Sequence, residues 1–125
     1  MKTLYLVEDN QDNADLVRDL LADRYTLVHF PDSQALLKAM QNPNSPAPDL
    51  LLLDISLPGM DGIALLHAIR AGTPWHKVTA IALTAHAMKQ DQGRLLATGF
   101  DGYVGKPIMD DSILLAAIQK LLPTS

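Results

Sequence analysis

Residues with usable chemistry stand at the ends of short apolar runs in this chain. Glu8 and Asp9 follow Thr3–Val7, Asp54 follows four consecutive leucines, Thr84 closes Val78–Thr84, and Lys106 follows Gly102–Gly105. The end of an apolar strand is a costly place for a charge unless something there uses it. Each residue also has an ordinary use. Asp54 and Thr84 can cap a helix or turn, Glu8-Asp9 can be solvated acids at a helix N-terminus, and Lys106 can be a surface lysine. Those uses do not explain why polar groups close four of five apolar runs. Three carboxylates brought together repel and raise one another's pKa unless a cation lies between them. The cation that suits them is Mg²⁺, a hard ion that keeps several waters and is held by one or two carboxylates plus a phosphate; the acids do not follow the spacing of a calcium loop. Beside such an ion Asp54 can attack phosphorus and become an aspartyl phosphate. Lys106 would neutralise charge on a phosphoryl oxygen, and the Thr84 hydroxyl would donate a hydrogen bond to another.

That chemistry needs elements that bring the run ends to one place. Leu50–Gly62, LLLLDISLPGMDG, is the organising stretch. Its leucine run, short and closed by the turn signals Pro58-Gly59 and Asp61-Gly62, predicts a strand buried on both faces, as in a parallel sheet. Strands are also expected over Thr3–Val7, Tyr25–Phe30, Val78–Thr84 and Gly102–Gly105. Between them run helix patterns: one capped by Asn10 with Ala14, Val17, Leu20 and Leu21 inward, and one from Pro31-Asp32 to about Met40 with Leu36, Leu37 and Met40 inward. Ile63–Arg70, stopped by Gly72 and Pro74, is the third, and Ala85–Ala97 the fourth. The last is capped by Asp110 or Asp111 and carries Ile113, Leu114, Ala117, Ile118 and Leu121 at helical spacing. The polar stretch Lys89–Arg94, with Gly93, makes the fourth helix the least firmly packed. Alternating strands and helices mean an α/β fold, a doubly wound five-stranded parallel sheet with right-handed crossovers and helices on both faces. Every strand then delivers its C-terminal end to one edge, where such folds hold ligands.

Composition narrows the function. The chain has 125 residues, net charge −4, 48% hydrophobic and 19% charged residues, which fits one ordered domain over 1–125. An acidic balance argues against direct nucleic-acid binding. The absence of cysteine excludes disulfides and thiol chemistry. No apolar run is long enough to cross a membrane, and the acidic start is unlike a signal peptide, so the expected place is the cytoplasm.

The residues resemble a response-regulator receiver domain, of the chemotaxis-regulator-like family that accepts phosphate in two-component signalling. The resemblance runs over the whole chain and rests on Glu8-Asp9, on D-x-x-x-P-G-M-D-G from Asp54 to Gly62, on Thr84-Ala85 and on Lys106-Pro107. It implies a flavodoxin-like fold with strand order 2-1-3-4-5 and Asp54 as phosphoacceptor. It implies Mg²⁺ held by Glu8, Asp9, Asp54 and the backbone carbonyl of Ser56, with Thr84 and Lys106 on the phosphoryl group. Tyr103 stands at the family's switch position, Ser56 and His86 at positions that tune hydrolysis, and the Lys106–Pro107 peptide is expected to be cis. Glu8 stands where aspartate is common, and Gly105 offers no hydroxyl before the lysine. The donor implied is a histidine kinase or histidine phosphotransfer protein, the role a signalling phosphoacceptor rather than a conventional enzyme, and the downstream partner is not legible.

Other functions fit less well. A flavin or nucleotide binder would want a glycine- or hydroxyl-rich loop after the first strand, where this chain has Glu8-Asp9-Asn10-Gln11-Asp12. A haloacid-dehalogenase-like phosphatase needs a second aspartate two residues after the first, where Ser56 stands. A receiver-like module that only binds partners is the remaining alternative. His29, His67 and His76 fall on separate elements without ligand spacing, and Trp75, after Pro74, reads as a surface patch or partial anchor. Leu115 and Leu122 read as core packing. No output segment is expected after Leu122-Pro123, which leaves both a stand-alone regulator and a receiver cut from a hybrid kinase open.

Overall fold

A computed structural model describes residues 1–42, 44–57, 59–85, 89–106, 108 and 111–122, with residues 89–92 and 111 described by their backbone alone. Strands and helices alternate: β1 Thr3–Val7, α1 Gln11–Leu21, β2 Thr26–Phe30, α2 Ser33–Gln41, β3 Leu50–Asp54, α3 Gly62–Arg70, β4 Thr79–Thr84, α4 Lys89–Ala97, β5 Gly102–Gly105 and α5 Asp111–Leu121. The strands form one parallel sheet in the order β2-β1-β3-β4-β5. This is the flavodoxin-like, doubly wound arrangement.

Side-chain alternation along the strands divides the core in two. Tyr5, Val7, Leu51, Leu53, Ala80 and Ala82 face α2, α3 and α4, where they meet Leu36, Leu65, Leu66, Ile69 and Leu95. Leu4, Leu6, Leu50, Leu52, Ile81 and Leu83 face α1 and α5, against Ala14, Val17, Leu21, Leu114 and Ile118. Because helices cover both faces, β3 has no polar side and is buried throughout, which is why its sequence is four leucines in a row. The helix starts are set by short polar caps: Asn10 accepts from the Asn13 N–H, Asp32 from Ala35 and Asp61 from Ala64.

Two expectations need correction. Trp75 is not a surface residue. It is 2% exposed and packs edge-on against Tyr5 at a centroid separation of 5.5 Å. After α3 the chain makes a turn, with His76 N–H donating to the Thr73 carbonyl and Val78 N–H to that of Trp75, and this folds the indole back under the sheet. Ile113 is 58% exposed although it lies in the apolar pattern of α5, whose inward stripe is carried by Leu114 and Ile118. The fourth helix is described from Lys89, residues 86–88 of its expected range lying outside the described residues, and Leu95 is the one buried residue between 93 and 97. Leu115 and Leu122 do pack against the α1/α5 core. Asp110, one of the two candidate caps of α5, lies outside the described residues.

Removing the indole leaves a large hole against Tyr5, so Trp75→Ala should cost about 3–5 kcal/mol of unfolding free energy in urea titrations. A loss below about 1 kcal/mol would contradict this core placement.

Candidate functional site

Parallel pairing brings the expected residues to one edge in register. Val7 pairs with Leu53 and Asp54 with Leu83, so Glu8 and Asp54 emerge side by side. Thr84 pairs with Gly105, and the Lys106 N–H donates to the Thr84 carbonyl at 2.8 Å, which pins the lysine to the end of β4. Alternation then sorts the side chains. Glu8 continues the series Leu4, Leu6; Asp54 continues Leu50, Leu52; Lys106 follows Val104. All three belong to the α1/α5 side of the sheet. Thr84 continues Ala80 and Ala82 on the opposite side, the side on which Tyr103 packs.

Glu8, Asp54 and Thr84 are buried. Lys106 Nζ donates to Glu8 Oε2 at 3.1 Å and to Asp54 Oδ2 at 3.0 Å. The second oxygens are also engaged: Glu8 Oε1 accepts from the Asn10 N–H at 3.1 Å, and Asp54 Oδ1 from the Ser56 N–H at 3.0 Å. Asp9 is exposed, but one of its oxygens joins Glu8 and Asp54 in a cluster whose ligand atoms all lie within 4.8 Å of one another. Among the described residues this is the one such group of metal-capable side chains.

The charges in this cluster are unbalanced. Burial raises the Glu8 carboxyl above its ordinary value, with the Asp54 charge adding to the rise; the Asn10 N–H and Lys106 oppose it without cancelling it. For Lys106, burial works to lower the pKa, but the hydrogen bonds and charges of Asp54 and Glu8 outweigh it and the ammonium ends above its ordinary value. Three carboxylates facing one ammonium leave two negative charges, and all the side-chain donors in the cluster are hard oxygens. The residues present therefore suit a hard divalent cation such as Mg²⁺.

The loop beyond Asp54 is held close by backbone contacts. Gly62 N–H donates to the Ile55 carbonyl at 3.2 Å, and a Cβ at Gly62 would overlap the Asp54 carbonyl oxygen, so only glycine allows this approach. Gly59, at φ +73°, makes the turn. The buried Ser33 hydroxyl donates to the Met60 carbonyl at 2.7 Å and ties the loop to α2. Sequence reasoning missed Ser33; its position at the start of a helix gave it a local use that hid the longer reach. It also missed His29, whose Nε2 lies 2.7 Å from the Glu8 carbonyl oxygen. Ser56 is exposed, and Tyr103 is half-buried beside a groove lined by Leu96, Ala117, Lys120 and Leu121. His86 and Pro107, and with them the expected cis peptide, lie outside the described residues.

The chain is similar to known proteins over most of its length. Residues 4–119 match the family described as Response regulator receiver domain. The signal transduction histidine-protein kinase BarA of Escherichia coli K12 is 37% identical over 113 residues, 89% of this chain but 12% of the kinase, so the chain spans a small part of that relative. The polar-differentiation response regulator DivK of Brucella ovis is 34% identical over 108 residues, 86% of this chain and 85% of DivK. The solved receiver domain of a sensor histidine kinase from Pseudomonas aeruginosa PAO1, with a magnesium ion coordinated in its active-site cleft, is 30% identical at a TM-score of 0.82, with 98% of each chain covered. Among the described residues no helix is long and apolar enough to cross a membrane.

The raised Glu8 pKa fixes the sign of a pH effect. The folded chain holds the Glu8 proton more tightly than the unfolded chain, so this group's contribution is most favourable below the ordinary carboxylate value and is lost as pH rises through the raised value. In buffer with chelator, Glu8→Gln should therefore melt higher than wild type at pH 7.5, with the gap closing toward pH 4. A gap that widens on acidification would contradict the charge balance described above.

Proposed function

The chain belongs to the response regulator receiver domain family of two-component signalling, a signalling module rather than a conventional enzyme, and from that premise we propose that Asp54 accepts a phosphoryl group from a phosphohistidine. The observation that carries this is the Asp54 carboxylate itself: buried at the end of an apolar strand, held between the Lys106 ammonium and the Ser56 N–H, and facing two further acids. An Asp54 oxygen attacks phosphorus, and the P–O bond forms as the P–N bond breaks with its electron pair staying on nitrogen; the donor imidazole, already protonated on its other nitrogen, leaves as the neutral ring. Lys106, already within hydrogen-bond reach of Asp54, offsets the charge that spreads over the phosphoryl oxygens. Thr84, at the neighbouring strand end, supplies a hydroxyl to one of them. Glu8, Asp9, Asp54 and the Ser56 carbonyl would hold Mg²⁺, which supplies charge neutralisation at the phosphoryl group when bound. Ser56 and His86, two residues beyond Asp54 and Thr84, are assigned the tuning of the phosphoryl lifetime.

The same proposal covers the consequence of phosphorylation. Thr84 and Tyr103 lie on adjacent strands on one side of the sheet, with Ala82 and Tyr103 directly paired. Drawing Thr84 toward the phosphoryl group opens space that the half-buried Tyr103 ring can enter, and this changes the α4, β5 and α5 face presented to a partner. The thin packing of α4, with Leu95 its one buried residue over 93–97, suits a mobile element. The chain is read as one receiver domain over 1–125, working in the cytoplasm, with a histidine kinase or histidine phosphotransfer protein as donor.

Intact-mass spectrometry with acetyl phosphate and Mg²⁺ tests the chemistry. One phosphoryl mass should be gained by wild type and absent from Asp54→Asn and from samples with chelator. No gain, together with no beryllofluoride adduct, would favour the partner-binding module over the phosphoacceptor. NMR of the Tyr103 ring tests the switch: beryllofluoride should shift its resonances, and unchanged resonances would remove Tyr103 from the mechanism while leaving the chemistry in place.

A further inference from the structure

We propose that His29 is a positioning residue for the acidic cluster: its ring N–H holds the Glu8 carbonyl and so fixes the peptide plane that aims Asp9 beside Asp54. The inference rests on the proposal that the cluster takes Mg²⁺. It begins with the β1–β2 ladder, which pairs residue by residue up to Val7 and Phe30, after which the Glu8 N–H donates to the Phe30 carbonyl at 3.1 Å. There β2 ends. Pro31 has no N–H to give, and at Asp32 the chain turns to cap α2. The Glu8 carbonyl is met instead by a side chain, His29 Nε2, at 2.7 Å. A carbonyl oxygen can only accept, so Nε2 carries the proton in this contact.

The tie matters because of which acid it restrains. Both Glu8 carboxylate oxygens and both Asp54 oxygens have hydrogen-bond donors. Asp9 is exposed, and no hydrogen bond among the described residues engages its side chain. Its direction depends on its backbone and its own rotamer. The Glu8 carbonyl and the Asp9 nitrogen share one planar peptide unit, so a bond that fixes the carbonyl also fixes the Asp9 N–Cα bond and narrows the directions its carboxylate can take. Partners hydrogen-bonded directly to a ligating group are worth about tenfold or more in metal affinity, and a tie on the backbone that carries two of the ligands is expected to reach the lower end of that range.

The test is Mg²⁺ titration by calorimetry of wild type, His29→Gln and His29→Leu, with thermal midpoints measured in chelator. His29→Leu should bind Mg²⁺ about tenfold more weakly, while His29→Gln, whose terminal N–H has a similar reach, should stay near wild type. If His29→Leu does not fold, His29→Asn carries the same amide on a shorter arm and should show the same weakening. Equal affinity in the variant that cannot reach the carbonyl would overturn the proposal. So would weakening in both Gln and Leu variants that follows their loss of thermal stability, since that marks a structural role only. A wild type that binds no Mg²⁺ would overturn the metal reading, and this inference with it.

Discussion

Two buried carboxylates, Glu8 and Asp54, share a single ammonium at the carboxyl edge of the sheet. Neither acid is given up to solvent, and Lys106 does not balance both along with the nearby Asp9. Burial is the main cause of the raised Glu8 pKa, and the neighbouring Asp54 charge adds to it. An arrangement that holds like charges together in a dry site costs stability, and it persists because the surrounding ladders leave the side chains nowhere else to go. The charge deficit, among donors that are all hard oxygens, suits the cluster to a divalent cation.

The rest of the molecule can be understood as what holds that edge in place. Parallel pairing alone aligns the ends of β1, β3 and β4, and β5 adds Lys106 through its N–H bond to the Thr84 carbonyl. The period of two along each strand then separates the tasks. Glu8, Asp54 and Lys106 meet on the α1/α5 side, while Thr84 and Tyr103 share the other side with α4. Thr84 thus stands at a strand end beside the acidic cluster while its side chain belongs to the differently packed side. Gly62 and Ser33 bring the loop after β3 against the Asp54 backbone by a close approach and by a buried hydrogen bond.

Much of this was legible before any coordinates. The strand and helix order, the double-sided burial of Leu50–Leu53, the cap at Asn10 and the helix start at Pro31-Asp32 follow from local rules that depend only on neighbouring residues. The convergence of Glu8, Asp9, Asp54 and Lys106 followed from topology, because parallel strands must end on one edge. What escaped was of another kind. Trp75 sits in a turn, where no periodicity marks a residue as inward, and only the fold shows that the turn closes over Tyr5. Ile113 matched the α5 stripe but lies at its margin, where the rotation of the helix against the sheet decides burial.

By itself, then, the sequence determined the elements, their alternation and the residue types at the strand ends, since apolar period and turn chemistry act over a few residues. Only the tertiary structure decided the distances among those ends, the sharing of Lys106 between two acids, and the contacts of His29 with Glu8 and of Ser33 with Met60. These join residues more than twenty positions apart in the chain. No local pattern records such a meeting, because it is fixed by how the sheet twists and the helices pack around it.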